Sequence, residues 1–202
     1  EAFNGSGRLC FAFSNHDVPR SASRQLTPLG ITLDKQDDLQ LLLLQLETSL
    51  IGSCCIFQGE ELGLSDVTNI QFDKMKDPWG LNFYPEFLGR DTCRTPMVWE
   101  KNKPMGGFTS ANESWLPISE LHMEKAGLDM AKSKGSVYNK FSSFLKWRRK
   151  QPAMISSNKM SKLSGGPSEI IFDRESETQI LRCKFDFELV EATFEEVTYG
   201  TS

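Results

Sequence analysis

Phe13-Ser14-Asn15-His16-Asp17-Val18-Pro19-Arg20 follows an apolar run, residues 9–13, that is short and aromatic enough to read as a buried strand. Pro19 has no N–H to give a sheet and biases Val18 towards extended geometry, so the strand is predicted to end here. Its carboxyl end then exposes an amide, an imidazole and a carboxylate, Asn15, His16 and Asp17, with the guanidinium of Arg20 just beyond. In parallel α/β folds, ligand sites are built at that end of the strands. Taken alone, the quartet fits equally well an ordinary Asx turn capping a strand. The surrounding stretches favour a site.

Downstream, Asp34-Lys35-Gln36-Asp37-Asp38 is an acidic start suited to a helix amino end, and a helix is predicted over 37–51. Its leucines at 39, 41, 42, 43, 44, 46 and 50 cover more than one face, so it is expected to be packed on two sides, as the outer helices of a barrel are. Gly52 stops the helix, and residues 53–57 read as a second buried strand ending at Gln58-Gly59-Glu60-Glu61. Strand, helix, strand, with polar residues at the carboxyl end of both strands, is the βαβ signature of a parallel sheet.

Residues 64–116 lack periodicity. Within them, 77–99 is dense in aromatics, prolines and charged pairs, a composition that argues against disorder and for a loop walling a pocket. A less regular helix is predicted over 120–131 and a well-defined one over 136–150, where Val137, Phe141, Phe144 and Leu145 fall at i, i+4, i+7 and i+8 and Pro152 lies just past the end. The period then changes to two, with strands predicted over 169–172, 178–185 and 192–199. A domain boundary is placed near 151–156, giving an α/β unit of residues 1–152 and a small all-β unit of residues 153–202.

The composition narrows the function classes. Of 202 residues, 39% are hydrophobic and 25% charged, as in a globular protein. A net charge of −4 argues against a nucleic-acid partner. The one basic cluster, Lys146, Arg148, Arg149 and Lys150, sits where a helix ends and suits its dipole. The five cysteines, three of them in apolar runs, include an adjacent pair and no C-x-x-C spacing; they fit small hydrophobes in a reducing, cytoplasmic setting better than a disulfide framework. Two histidines make a His/Cys zinc site a poor expectation. The densest apolar stretch carries Gln40, Gln45 and Glu47 and falls short of the ~20 residues of a membrane span.

With these residues laid out, the chain resembles the α-amylase superfamily of glycoside hydrolases, in its α-glucosidase and oligo-1,6-glucosidase branch. The matching pieces are residues 15–20, Gln58-Gly59-Glu60-Glu61-Leu62-Gly63-Leu64, Gly89-Arg90-Asp91 with Arg94-Thr95-Pro96-Met97 and Trp99, Gly107-Phe108-Thr109, Trp115-Leu116-Pro117, and Arg148-Arg149-Lys150-Gln151-Pro152-Ala153. They come in the family's order and cover nearly the whole chain.

The resemblance implies that residues 8–13 and 53–57 are strands seven and eight of a TIM (β/α)8 barrel, followed by a long loop insertion and the start of the family's C-terminal β-sandwich. It implies retaining hydrolysis of terminal α-linked glucose from short oligosaccharides, with two carboxyl groups about 5–5.5 Å apart as nucleophile and acid/base. Asp17 matches the family's third catalytic carboxylate, which binds sugar hydroxyls and stabilises the oxocarbenium-like transition state. His16 matches a residue that hydrogen-bonds the same glucose, and Arg90 the arginine that holds the non-reducing glucose at the closed end of the pocket. Asn15, Arg20, Asp91 and Arg94 are implied as supports, and Glu60 and Glu61 as structural.

No cofactor and no metal are implied for the reaction; the loop that holds a structural Ca²⁺ in parts of the family would lie upstream. The family's nucleophile Asp and acid/base Glu also lie upstream of residue 15, and Gly89-Arg90-Asp91, in a loop after strand eight, cannot stand in for them. A complete barrel takes about 250 residues, so the chain is expected to need the N-terminal half of the barrel as partner. Alone, it is expected to be inactive and to associate through open sheet edges. The competing readings are a glucosyl-transferring or isomerising relative that forms isomaltulose or trehalose, and a non-catalytic amylase-like accessory subunit.

Overall fold

The computed structural model describes residues 9–156 and 159–198. Arg8, at the start of the first predicted strand, and Tyr199, at the end of the last, lie outside this range. The chain opens with β1 (Cys10–Phe11), crosses through α1 (Ser21–Gln25) and α2 (Gln36–Ser49), and returns parallel to β1 as β2 (Ser53–Cys54). The amide of Ser53 donates to the Leu9 carbonyl at 2.8 Å and that of Cys55 to the Phe11 carbonyl at 2.8 Å. Gly52 makes the approach possible: at φ +131°, a Cβ there would lie 2.4 Å from the Leu9 carbonyl oxygen.

The two strands are shorter than predicted and, contrary to expectation, not buried. Leu9 is 38% exposed, and Cys10, Cys54 and Cys55 are exposed rather than packed as small hydrophobes. Among the described residues each strand has only the other for a neighbour, so both outer edges of this two-stranded sheet lack a strand partner.

Helix α2 meets the expectation of two-sided burial. Leu39, Leu42, Leu43 and Leu46 share a core with Ala22, Met154, Phe172, Leu181, Cys183 and Phe185, while Leu44 packs on Val137, Phe141 and Phe144. Each buried leucine contributes about 1.5–3 kcal/mol. The last carbonyls of α2 lack helical partners and find arginines instead. Arg148 Nε donates to Thr48 O at 2.7 Å, and a terminal nitrogen of Arg174 donates to Ser49 O at 2.6 Å and Leu50 O at 3.1 Å. Arg148, predicted to serve its own helix end, thus caps a different helix.

Between residues 64 and 116 the only α-helix is α3 (Pro78–Phe83), and the rest is turns, as the lack of periodicity predicts. The helix predicted over 120–131 divides into α4 (Glu120–Glu124) and α5 (Gly127–Lys132), and the one over 136–150 is α6 (Val137–Arg148), capped by Ser136 Oγ accepting from the Asn139 amide at 3.2 Å. After α7 (Pro152–Ile155) come β3 (Lys159–Gly166), β4 (Glu169–Glu175), β5 (Ile180–Asp186) and β6 (Glu191–Glu196), an antiparallel sheet in that order. The sheet lays Phe172, Leu181, Cys183 and Phe185 on α2, and Phe194 of β6 stacks near Phe144 and Trp147 of α6, with ring centroids 5.1 and 5.0 Å apart. Strand β3 is absent from the sequence prediction because nearly all of it is exposed: Lys-Met-Ser-Lys-Leu-Ser-Gly-Gly is a polar edge without apolar alternation. No helix among the described residues is long and apolar enough to cross a membrane.

Candidate active site

The turns that follow β1 and β2 are held together by a buried carboxylate. Glu60, 1% exposed, accepts from Ser14 Oγ, from Ser21 Oγ at 2.8 Å and from the Phe57 amide at 3.0 Å, so one side chain ties the two strand ends. Glu61 accepts from the Gly59 amide at 2.8 Å. Arg20, also 1% exposed, does not reach Asp17. Its guanidinium donates to the Gln58 carbonyl at 3.3 Å and lies 3.4 Å from Asp66 Oδ1, and its backbone N–H donates to the same carboxylate at 3.1 Å. Burial lowers the pKa of Arg20 and raises that of Asp66.

On this support the residues that end β1 project outward. Asn15 Oδ1 accepts the Asp17 amide at 2.8 Å, and Asn15 and Val18 form an isolated antiparallel bridge. The turn is thus an Asx turn, and its local geometry presents the Asp17 carboxylate. One terminal nitrogen of Arg90 lies 3.1 Å from Asp17 Oδ1 and one of Arg94 lies 2.9 Å from the same oxygen, while His16 Nε2 is 3.3 Å from Oδ2. Arg94 Nε also donates to the His16 carbonyl at 2.7 Å, fixing the peptide that carries Asp17. The carboxylate remains about half exposed, 52%.

Arg90 is held from behind. Its Nε donates to Asp77 Oδ2 at 3.0 Å and a terminal nitrogen to Asp77 Oδ1 at 2.8 Å, a two-pronged fork, and its backbone N–H donates to Oδ2 at 2.6 Å. The fork holds Asp77 well below the usual carboxylate range, at about 2, and raises the pKa of Arg90. Asp91, 1% exposed, accepts the amides of Lys76 and Asp77 at 2.6 and 2.9 Å and so positions the anchor. The Trp79 ring completes the support, its centroid 5.0 Å from the Arg90 guanidinium carbon. Asp17 and Asp77 thus sit on either side of the Arg90 guanidinium, Asp77 buried and Asp17 half exposed.

Asp17, His16, Arg90 and Arg94 converge; Asn15 and Asp91 act one step behind them, and Arg20 lies apart. Sequence reasoning assigned no role to Asp77 or Trp79. Asp77-Pro78 is a visible helix start, and the Asp77 carboxylate indeed accepts from the Trp79 amide at 3.4 Å. Nothing local shows that the same carboxylate reaches a guanidinium 13 residues on. The other histidine, His122, is buried with Nε2 2.8 Å from the Ser65 carbonyl, and burial pushes it down to about 4. A concavity of about 760 Å³ between residues 66–74 and 117–121 does not include Asp17. No three His, Cys, Asp or Glu side chains among the described residues cluster as metal ligands would.

The family description "Alpha amylase, catalytic domain" matches residues 1–157. The chain belongs to the alpha-amylase family. It is 45% identical over 148 residues to a probable alpha-glucosidase of Rhizobium meliloti (strain 1021), covering 73% of this chain and 26% of that protein. It is 26% identical over 191 residues to an oligo-1,6-glucosidase of Halalkalibacterium halodurans, covering 86% and 33%. Among solved structures, the alpha-glucosyl transfer enzyme XgtA superposes with a TM-score of 0.78 at 35% identity, over 90% of this chain and 32% of that one. The chain thus spans about a quarter to a third of the length of these relatives. For this alpha-amylase family chain, β1 and β2 are strands of the (β/α)8 barrel, and the antiparallel sheet is the all-β part that follows it.

Proposed function

We propose that this chain supplies part of the active site of an α-glucosidase that removes terminal α-linked glucose from short oligosaccharides with retention. The observation that carries the reading is the half-exposed Asp17 carboxylate, pinned at Oδ1 by Arg90 and Arg94 with His16 beside Oδ2. A carboxylate so held can accept from sugar hydroxyls and places negative charge where an oxocarbenium-like transition state develops positive charge. His16 and Arg90 offer donors to hydroxyls of the same glucose, with the fork to Asp77 fixing the direction in which Arg90 can point. The nucleophilic Asp and acid/base Glu of the retaining reaction are assigned to barrel strands not represented in these 202 residues, and no cofactor is assigned. The division into barrel portion, 1–152, and start of the β-sandwich, 153–202, is part of the same proposal.

The test is Asp17→Asn in the intact protein, assayed with p-nitrophenyl α-glucoside. The expected loss in kcat/KM is on the order of 10²–10³-fold or more. Wild-type turnover by the variant would overturn the assignment. The likeness to an alpha-glucosyl transfer enzyme favours one second reading, transfer of glucose to an acceptor other than water. With p-nitrophenyl α-glucoside as donor and an added alcohol, glucosylated alcohol in excess of free glucose would select it.

A further inference from the structure

We infer that Trp79 is a specificity-determining residue whose indole stacks against the apolar C–H face of the glucose unit held by Asp17 and Arg90. The inference rests on the α-glucosidase reading above. Trp79 is 56% exposed, yet it is tied to the site: its ring lies 5.0 Å from the Arg90 guanidinium carbon, and Arg90 in turn lies 3.1 Å from Asp17.

The indole is also rigidly placed. Its backbone N–H donates to Asp77, Pro78 sets the first helical turn, and Gly80 packs so closely that a Cβ would sit 2.3 Å from Met75 Cε and 2.6 Å from the Leu88 carbonyl oxygen. The start of α3 therefore cannot shift without breaking the packing around Arg90.

A pyranose ring is amphipathic, with hydroxyls at its rim and C–H groups on its faces. The side chains that contact Asp17, those of Arg90, Arg94 and His16, are charged or polar partners for the rim. An exposed indole beside that cluster supplies the missing half, combining a large apolar area with few rotatable bonds to immobilise. Simple support of Arg90 would need only one side of the ring. The exposed remainder is the part that the sugar would cover.

The experiment compares Trp79→Ala and Trp79→Phe with wild type in the intact protein, using p-nitrophenyl α-glucoside and maltose. Trp79→Ala should raise KM about tenfold while kcat changes less than threefold, and Trp79→Phe should restore most of the loss. Added glucose should alter the indole fluorescence of wild type, and that change should be missing from Trp79→Phe, a variant that keeps an aromatic ring in place. An unchanged KM, a fall confined to kcat, or an undiminished fluorescence response in Trp79→Phe would each overturn stacking. Asp17→Asn, run in parallel, separates the two claims. Its retention of activity sinks the site reading itself, whereas its inactivity beside an unaffected Trp79→Ala sinks only the role of the indole.

Discussion

Replacing Glu47 with glutamine should stabilise this protein, by an amount that grows as pH rises from about 4.5 to about 7. Glu47 sits on α2, 2% exposed, with Oε1 lacking any partner. Burial first, and the carboxylate of Glu60 second, push it up to about 7, against the opposing pull of the Phe13 and Cys55 amides. The unfolded chain releases this proton near the ordinary 4.5, whereas the native state keeps it until about 7. Stability therefore falls as pH rises between these values; the penalty is absent below the lower one and complete above the upper. At about 1.4 kcal/mol per pH unit, the ceiling is about 3 kcal/mol. Glutamine keeps the shape and an acceptor oxygen for the two amides but carries no charge to desolvate. Urea unfolding of wild type and Glu47→Gln from pH 5 to pH 9 reads the difference directly. It should be small at pH 5, grow most steeply between pH 5 and pH 7, and level off above pH 8. A difference independent of pH, or a variant less stable than wild type at pH 8, would show that the ionised carboxylate is satisfied in the fold and refute the reasoning.

Asp77→Asn should weaken the hold on Arg90 and raise KM for the α-glucoside. Because the pKa of Asp77 is depressed to about 2, its stabilisation is present above its unfolded value and lost as pH falls towards 2, so a deficit of roughly 2 kcal/mol at pH 7 should fade below pH 3 in chemical unfolding. Gly89 and Gly30 form a matched pair at φ +68° and +66°. Alanine at 30 meets open space and should lose only the left-handed strain, about 1–2 kcal/mol, whereas at 89 its Cβ would lie 2.6 Å from both Asp77 Oδ2 and Gly80 N and should also abolish activity. Arg174→Met should leave the Ser49 and Leu50 carbonyls unpaired and lower stability by about 2–4 kcal/mol; an unchanged unfolding midpoint would mean that water replaces the guanidinium.

Helices α2 and α6 were legible because their apolar spacing extends over several turns and both are bounded by acidic, capping or proline residues. Strands β4, β5 and β6 were legible in period two, though β4 runs on through buried Asp173 and Arg174, which polarity alone marks as its end. Asp173 stays inside because Arg182 forks onto it at 2.9 and 3.1 Å, and Arg174 because α2 offers it carbonyls. Strand β3 escaped notice because an exposed edge needs no apolar alternation. The three exposed cysteines of β1 and β2 were misread as buried, since an apolar run signals a strand fit for burial and says nothing of which neighbours are there to bury it.

At the site, the short-range features were written in the chain. Asn15, His16 and Asp17 form a turn within three residues, and Asp77-Pro78 starts a helix; such interactions depend only on neighbouring dihedrals and side chains, so residue order determines them. Tertiary structure alone decided that Arg90 and Arg94 meet at one oxygen of Asp17, that Asp77 anchors Arg90, and that Arg20, although it sits in the decisive stretch, turns away to Asp66. Those partners lie 13 to 77 positions apart. Their meeting depends on how the two strand ends are packed and on where each buried charge finds its counter-charge, and no local pattern encodes either.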